Sequence, residues 1–327
     1  MRAPDFWWHK PPSLLARLLA PFGAFYGRRT LARMAQTGMS ASIPVVCVGN
    51  LIAGGAGKTP AAIEIARLLV SAKRKPVFLT RGYGGRLKGP VQVDLKKHTA
   101  RDVGDEPLLL ARSGPCIVAR DRVAGAGLAA RLGDVIVMDD GFQNPSLKKD
   151  MALLVIDGEQ GVGNGLCIPA GPLRAPVEEQ LKHADAVVVV GEGKAAGFLA
   201  RRKKPPVLAA RLVPDAKVAG VLKGKRVLAY AGIGRPQKFA GTLKALGADV
   251  VRLVAFPDHH VFNAMDAEAL LAEAKRDNLT LVTTEKDMAR LSDPDLKALA
   301  QKSHALPVRL VFDDPKLFTA ALKKVFG

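Results

Sequence analysis

The chain has 327 residues, 48% of them hydrophobic, enough to bury the cores of two domains and too apolar for a disordered tail. Lys and Arg outnumber Asp and Glu 49 to 30, and the net charge of +19 calls for an anionic partner: nucleic acid, anionic lipid or a phosphorylated small molecule. Three scattered cysteines (Cys47, Cys116, Cys167) without a CxxC pair and six histidines without an HExxH pattern argue against a disulfide framework and a zinc site, and no run approaches the roughly 20 apolar residues of a membrane span.

The first predicted element is an amphipathic segment over residues 1–40. Its "FWWHKPPSLLARLLAPFGAFYGRRTLARMA" holds both tryptophans, and Leu14, Leu15, Leu18, Leu19, Phe22, Phe25 and Tyr26 recur at helical spacing. Arg17 and Arg28 flank that arc, with Lys10, Arg29 and Arg33 nearby. A cationic, aromatic, one-faced helix is expected to lie in a membrane interface. The competing reading is a helix packed on the protein's own core and kinked by Pro21 and Gly23. Arg17 and Pro21 interrupt the apolar run, which fits poorly with a secretory signal.

From residue 43, short β-branched runs alternate with helical patterns: "IPVVCVGN", "PVFLTRG", "PCIVARD", "DVIVMDDG", "MALLVIDG" and "ADAVVVVG", with "PAAIEIARLLVSA" and "EPLLLARS" between them. Runs apolar throughout predict strands covered on both faces, hence an α/β fold with a mostly parallel sheet and helices on either side. The basic, proline-bearing "GKAAGFLARRKKPPVLAARLVPD" reads as a linker. Beyond it "RVLAYAGIG", "ADVVRLVAF" and "LTLVTTEKD" predict a smaller second α/β unit, and the closing "LPVRLVFDD" is expected to run back beside "PVLAARLVP". The expected organisation is therefore a large α/β domain over 41–206, to which 313–327 returns, linker strands at 207–214 and 305–312, and a small domain over 215–304.

"VGNLIAGGAGKTP" has the layout of a P-loop: a strand, glycines, Lys-Thr, then a helix. Gly54, Gly55, Ala56 and Gly57 let the backbone fold around phosphate oxygens, Lys58 reaches the β- and γ-phosphates, the Thr59 hydroxyl binds Mg²⁺, and Pro60 suits the first helical turn. The spacing is atypical, because GxxxxGK[ST] puts its first glycine where this chain has Ile52. An aspartate closing a neighbouring strand completes a magnesium site, and "DVIVMDDGFQ" offers Asp139 first and Asp140 second. The "GDEP" block places Asp105, with Glu106 beside it, ahead of a helix, where a carboxylate can serve as a proton acceptor. The same residues form a good helix start, so Asp105 is a candidate cap as well.

The blocks "VGNLIAGGAGKTP", "TRGYGGR", "VGDEPLLLA", "VARDR", "VMDDGFQN", "PAGPLRAP", "FPDHHVF" and "TTEKD" occur in an order that resembles the tetraacyldisaccharide 4′-kinase (lipid A 4′-kinase) family, whose own P-loop has the shifted glycine pattern. The resemblance implies ATP and Mg²⁺, and transfer of the γ-phosphate to the 4′-hydroxyl of a lipid disaccharide 1-phosphate. The implied place is the cytoplasmic face of a bacterial inner membrane, as a peripheral or monotopic monomer on an anionic surface. It implies that Asp105 is the base, assisted by His259 of the second unit, with His260 left as an exposed surface residue. Arg120 and Arg174 match family positions linked to phosphate or substrate contact, and Arg81, Tyr83, Glu106 and Gln143 join that group. Glu285, Lys286 and Asp287 match without a derivable role. The family usually reads DDGFQH where this chain has Asn144, which is therefore left out of the catalytic set.

Two rival readings follow from the same residues. One is a P-loop NTPase that drives a partner protein or delivers a cofactor, which gives no reason for the apolar N-terminal segment. The other is a nucleic-acid-binding protein, suggested by the charge but opposed by an aromatic content of only 5% and the lack of a recognition motif. No nucleic acid is expected as partner.

Overall fold

The computed structural model describes residues 3–193, 197, 199 and 204–326, so most of the basic stretch read as a linker lies outside the described residues. Strands β1 (Val45–Gly49), β2 (Pro76–Thr80), β3 (Val91–Gln92), β4 (Cys116–Val118), β5 (Val135–Asp139), β6 (Met151–Asp157), β7 (Ala186–Val190) and β8 (Val207–Pro214) belong to one large sheet. A second sheet holds β9 (Arg226–Ala231), β10 (Asp249–Ala255), β11 (Thr280–Thr284) and β12 (Ser303–Leu306), all parallel, in the order β10-β9-β11-β12. The last strand, β13 (Val308–Phe312), returns to the large sheet, whose order is β13-β8-β7-β6-β1-β5-β2-β4-β3. Only its two edge strands are antiparallel to their neighbours.

The helices are α1 (Leu14–Met34), α2 (Lys58–Ser71), α3 (Ala100–Val103), α4 (Asp105–Ala111), α5 (Arg122–Ala129), α6 (Val177–Lys182), α7 (Ala216–Leu222), α8 (Pro236–Ala245), α9 (Ala264–Arg276), α10 (Glu285–Arg290), α11 (Lys297–Lys302) and α12 (Pro315–Phe326). Strand periodicity explains why the large sheet needs two layers of them. Val46 and Val48 of β1 point into a core shared with Ile65 and Leu69 of α2 and Phe318 of α12. Val45 and Cys47, one residue out of phase, enter the opposite core with Ala126 and Ala129 of α5.

The two expected linker strands do pair, β8 with β13 in antiparallel register from Val308↔Pro214 to Phe312↔Ala210. They differ from a free connector in that β8 also bonds β7 in parallel, which makes the pair the edge of the large sheet. Residues 305 and 306 lie in β12 of the small sheet instead. A second tie between the sheets is ionic: Arg235, just ahead of α8, donates from one nitrogen to both carboxylate oxygens of Asp157 at 3.0 Å, and Lys238 Nζ joins at 2.8 Å. Burial raises the Asp157 carboxyl, but the bonds from Lys238 and the Gln160 N–H pull it below its ordinary range.

Helix α1 inverts the usual division of labour. Its buried face is Ala16, Gly23, Gly27 and Thr30, whereas Leu14, Leu15, Leu18, Phe22 and Phe25 are exposed, Leu14 by 75%. The small residues are needed for close approach: a Cβ on Gly23 would fall 2.6 Å from the Cys167 carbonyl oxygen, and one on Gly27 2.9 Å from Cys167 Sγ. The tryptophans do not extend the exposed face. Trp7 donates its indole N–H to the Pro169 carbonyl at 2.9 Å, and Trp8 packs into the core beneath β1 and β5. No described helix is long and apolar enough to cross a membrane.

Candidate active site

The site forms where the strands of the large sheet end. β1 lies between β5 and β6, and Val48 pairs with Asp139, so the last residue of β5 stands beside the loop that leaves β1. That loop turns into α2 at Gly57, whose φ of 85° is left-handed and favours glycine. Thr59 and Asp139 are thereby brought together: Thr59 Oγ1 donates to Asp139 Oδ2 at 3.2 Å, with both residues buried. Lys58 is also buried, its Nζ 3.3 Å from the Gly54 carbonyl oxygen and 3.8 Å from Asp140 Oδ1. Gly54 and Gly55 form the open rim, Ala56 is buried and Pro60 sits in the first turn of α2.

The two adjacent aspartates diverge because Asp140 takes a φ of 53°, a strained value for a residue with a Cβ. Asp139 points inward. Its Oδ1 is buried without a hydrogen-bond partner, and burial, reinforced by the negative charge of Glu106, pushes its carboxyl up to about 7. Asp140 points outward to Arg174, which grips both oxygens at 3.0 and 3.2 Å. Burial raises the Asp140 carboxyl, but Lys58 and Arg174 outweigh it and hold it at about 2. A buried carboxylate oxygen with no donor, beside a hydroxyl, fits a hard divalent cation. Thr59 and Asp139 offer that fit; Asp140 is committed elsewhere.

Asp105 sits across the site. Its helix start is real, but the cap is Gly104, at φ 93°, and the Asp105 side chain caps nothing. It instead meets the small unit. Arg290 donates from Nε to Asp105 Oδ2 at 3.0 Å and from a terminal nitrogen to the same atom, and His259 Nδ1 stands 3.5 Å away. Burial alone raises the Asp105 carboxyl, yet His259, Arg290 and Lys286 together hold it well below the usual carboxylate range. Reciprocally, the hydrogen bond to Asp105 raises the His259 imidazolium. His259 has a left-handed φ of 58° and meets Tyr83 edge to face, ring centres 5.2 Å apart. Beside the pair, Lys286 Nζ donates to Glu106 Oε1 at 2.5 Å. A cavity of about 300 Å³ opens here between the units, lined by Tyr83, Asp105, His259, Val261 and Arg290 among others.

Several expected contacts are redirected. Gln143 is buried and braces the interior: its amide nitrogen donates to the Asn50 carbonyl at 2.7 Å and to Gln180 at 2.9 Å, while its oxygen accepts from Arg174. Both N–H donors of its amide are thereby engaged inside the protein. Arg174 is likewise spent on Asp140, Gln143 and the Ile52 carbonyl. His260 is not a surface residue; it stacks on Phe256 at 4.6 Å and bonds Asp266 at 2.8 Å. The side chain of Asn144 accepts the Ser146 N–H and hydroxyl, a turn closure. Arg81 and Arg120 are exposed just past the ends of the neighbouring strands β2 and β4.

The profile of the tetraacyldisaccharide-1-P 4′-kinase family matches residues 15–327. The chain belongs to this family. Among the relatives it resembles, the tetraacyldisaccharide 4′-kinase of Rhodopseudomonas palustris (strain BisB5) is 54% identical over 318 residues, covering 96% of this chain and 94% of that one. That of Methylobacterium sp. (strain 4-46) is 55% identical over 328 residues, covering 98% and 97%. The solved structure of LpxK from Aquifex aeolicus in complex with ATP superposes with a TM-score of 0.75 at 24% identity, over 96% of this chain and all of that one, which establishes the P-loop NTPase-like fold.

As a member of the tetraacyldisaccharide 4′-kinase family, the chain carries two arginines of interest that sequence reading passed over. Arg122 is 2% exposed, donates to the Ala119 carbonyl at 2.5 Å and leaves its Nε buried without a partner, while the negative charge of Asp140 and Asp139 acts on it. "VARDR" contains it, and the signal was Asp121: as N-cap of α5 it turns the next residue inward. Arg290 had no sequence signal, because its partner lies 185 residues away.

Proposed function

We propose that this chain transfers the γ-phosphoryl group of ATP to the 4′-hydroxyl of a tetraacylated glucosamine disaccharide 1-phosphate, the reaction its family is named for. The observation that carries the reading is that the Lys58, Thr59 and Asp139 cradle lies within electrostatic reach of Glu106, the neighbour of a carboxylate–histidine pair that lines a cavity of about 300 Å³. Lys58 contacts the transferred phosphate, and the P-loop backbone holds the triphosphate. Thr59 and Asp139 would hold a magnesium ion, which would supply charge neutralisation for the triphosphate. Asp105 accepts the proton of the attacking hydroxyl, and His259 shares Asp105 Oδ2 with Arg290. Arg81 and Arg120, just past the ends of β2 and β4, and Arg122, the first residue of α5, gather the remaining phosphate oxygens. All these groups come from one chain, so a monomer suffices. The family assignment leaves both rivals, the partner-driving NTPase and the nucleic-acid binder, unfavoured.

The cavity is at the low end of small-molecule sites and takes a sugar, not four acyl chains. The chains then have to stay in lipid, and the exposed face of α1 is the part of the protein suited to meet them. Burying a Leu or Phe side chain is worth about 1.5–3 kcal/mol, against ~1 kcal/mol for each basic residue near an anionic surface. With Leu14, Leu15, Leu18, Phe22 and Phe25 exposed, the apolar term dominates and Arg17, Arg28 and Arg29 orient the helix. The reading therefore has the protein lie peripherally on the cytoplasmic face of the inner membrane, the side where ATP is available.

The decisive assay supplies radiolabelled ATP and purified tetraacyl disaccharide 1-phosphate in detergent. Label appearing in a lipid bisphosphate is the expected result, and ATP hydrolysis that proceeds equally without acceptor would favour the partner-driving NTPase. For the membrane reading, Leu18, Phe22 and Phe25 changed together to Asp should abolish sedimentation with phosphatidylglycerol vesicles while leaving ATP binding intact. Vesicle binding that survives this change removes α1 as the contact.

A further inference from the structure

We infer that Arg290 is a positioning residue for the base: it fixes which oxygen of Asp105 faces the acceptor, and so brings α10 of the small unit into the reaction. The inference rests on the reading of Asp105 as the base. Both Arg290 nitrogens aimed at this carboxylate end on Oδ2, and His259 Nδ1 approaches that same atom at 3.5 Å. None of them reaches Oδ1. The two oxygens of a carboxylate are equivalent, and the terminal torsion is broad until neighbours tell them apart. Here the donors converge on one oxygen and leave the other for whatever occupies the cavity that Asp105 and Arg290 both line.

Arg290 is itself held from behind. One terminal nitrogen donates to the Gly232 carbonyl and to Asp287 Oδ1, both at 2.7 Å. Asp287 in turn accepts from the Thr284 hydroxyl at 2.6 Å and the Gly232 N–H at 3.0 Å. The Arg290 and Asp105 side chains are only 6% and 5% exposed, so this is no solvated surface pair of negligible worth. A planar fork with four of its five N–H donors engaged cannot swing as a lysine can. The contacts run from Gly232, at the end of β9, through Asp287 and Arg290 to Asp105, at the start of α4. Relative movement of the units would therefore misalign the base.

Facing Asp105 are Arg290 and Lys286 of α10 and His259 of the loop after β10, with Glu106 next to it on α4 and Asp287 behind Arg290. Without Arg290 the Asp105 carboxyl rises, since only His259 and Lys286 are left to oppose the effect of burial. A base acts only when deprotonated, so the acidic limb of kcat moves to higher pH. A simple strut between the units would alter stability and leave that limb alone.

The test measures kcat and KM for wild type, R290Q, R290K and D105N from about pH 3.5 to 9, with full-length protein, magnesium-ATP and the lipid acceptor. R290Q is expected to lose up to about 10²-fold in kcat, the scale of a misplaced catalytic group, with KM for ATP little changed and the acidic limb displaced upward. R290K should restore the limb but only part of kcat, since it supplies charge without the fork. Wild-type kcat and limb in R290Q, or in R290K should R290Q fail to fold, with D105N inactive, overturn the inference; a lower melting temperature alone reduces Arg290 to a strut. A D105N enzyme at the wild-type rate instead removes the base assignment itself.

Discussion

Asparagine at position 105 lowers kcat by about 10² to 10⁴-fold, the usual contribution of a positioned base, while ATP binding persists. The substitution is close to isosteric, and the amide oxygen can still accept from Arg290, whose two bonds at present end on Asp105 Oδ2. What it removes is the negative charge and the capacity to take a proton. Held below the ordinary carboxylate range, Asp105 is a weak base. In a loose phosphoryl transfer that suffices, because the hydroxyl becomes acidic only as its bond to phosphorus forms. The risk lies in stability, since removing one partner of a buried ion pair costs about 3–5 kcal/mol when nothing replaces it. Keeping an acceptor in place avoids most of that cost, and a melting curve run beside the kinetics separates the two effects. Undiminished turnover in a folded Asp105→Asn protein would show that no proton acceptor is needed at this position.

Alanine at position 58 removes kinase turnover by at least about 10²- to 10³-fold, the scale of losing one preorganised group that meets developing charge. Here the fold itself is insulated. The Lys58 ammonium lies 3.3 Å from the Gly54 carbonyl and 3.8 Å from Asp140, and Asp140 keeps its two-pronged bond to Arg174 when the lysine is gone. Little native-state energy depends on Lys58, which is as expected for a cation reserved for a ligand. Turnover and nucleotide affinity measured together, for instance by filter binding of labelled ATP, should fall with the melting temperature almost unmoved. A Lys58→Ala protein that still phosphorylates the acceptor rules out the P-loop assignment.

Legibility in the sequence followed the range over which each contact acts. Runs such as "VVCVG" and "VIVMD" specify buried strands through period-two apolar faces, and a strand, glycines and Lys-Thr specify the turn into α2. Once β1 and β5 are neighbours, Thr59 and Asp139 can only meet, so this half of the site was readable. The other half was not. Gln143 and Arg174, read as ligand contacts, and His260, read as a surface residue, became internal braces, because Gln180 of α6, Asp140 after β5 and Asp266 of α9 pair with them. Helix α1 carries two faces in its sequence, one small and one large. Only the approach of the Cys167 loop, to within the space of a missing Cβ, decided that the small face turns inward.

The sequence by itself determined the layered α/β fold and the glycine turn that sets Thr59 beside Asp139, since each depends on local periodicity or on adjacent strand ends. Tertiary structure alone decided how Asp105 is held. Arg290 and Lys286 reach α4 from a helix about 180 residues further on, with separations of 185 and 180 residues to their partners, and no local pattern encodes a pairing set by how two sheets pack.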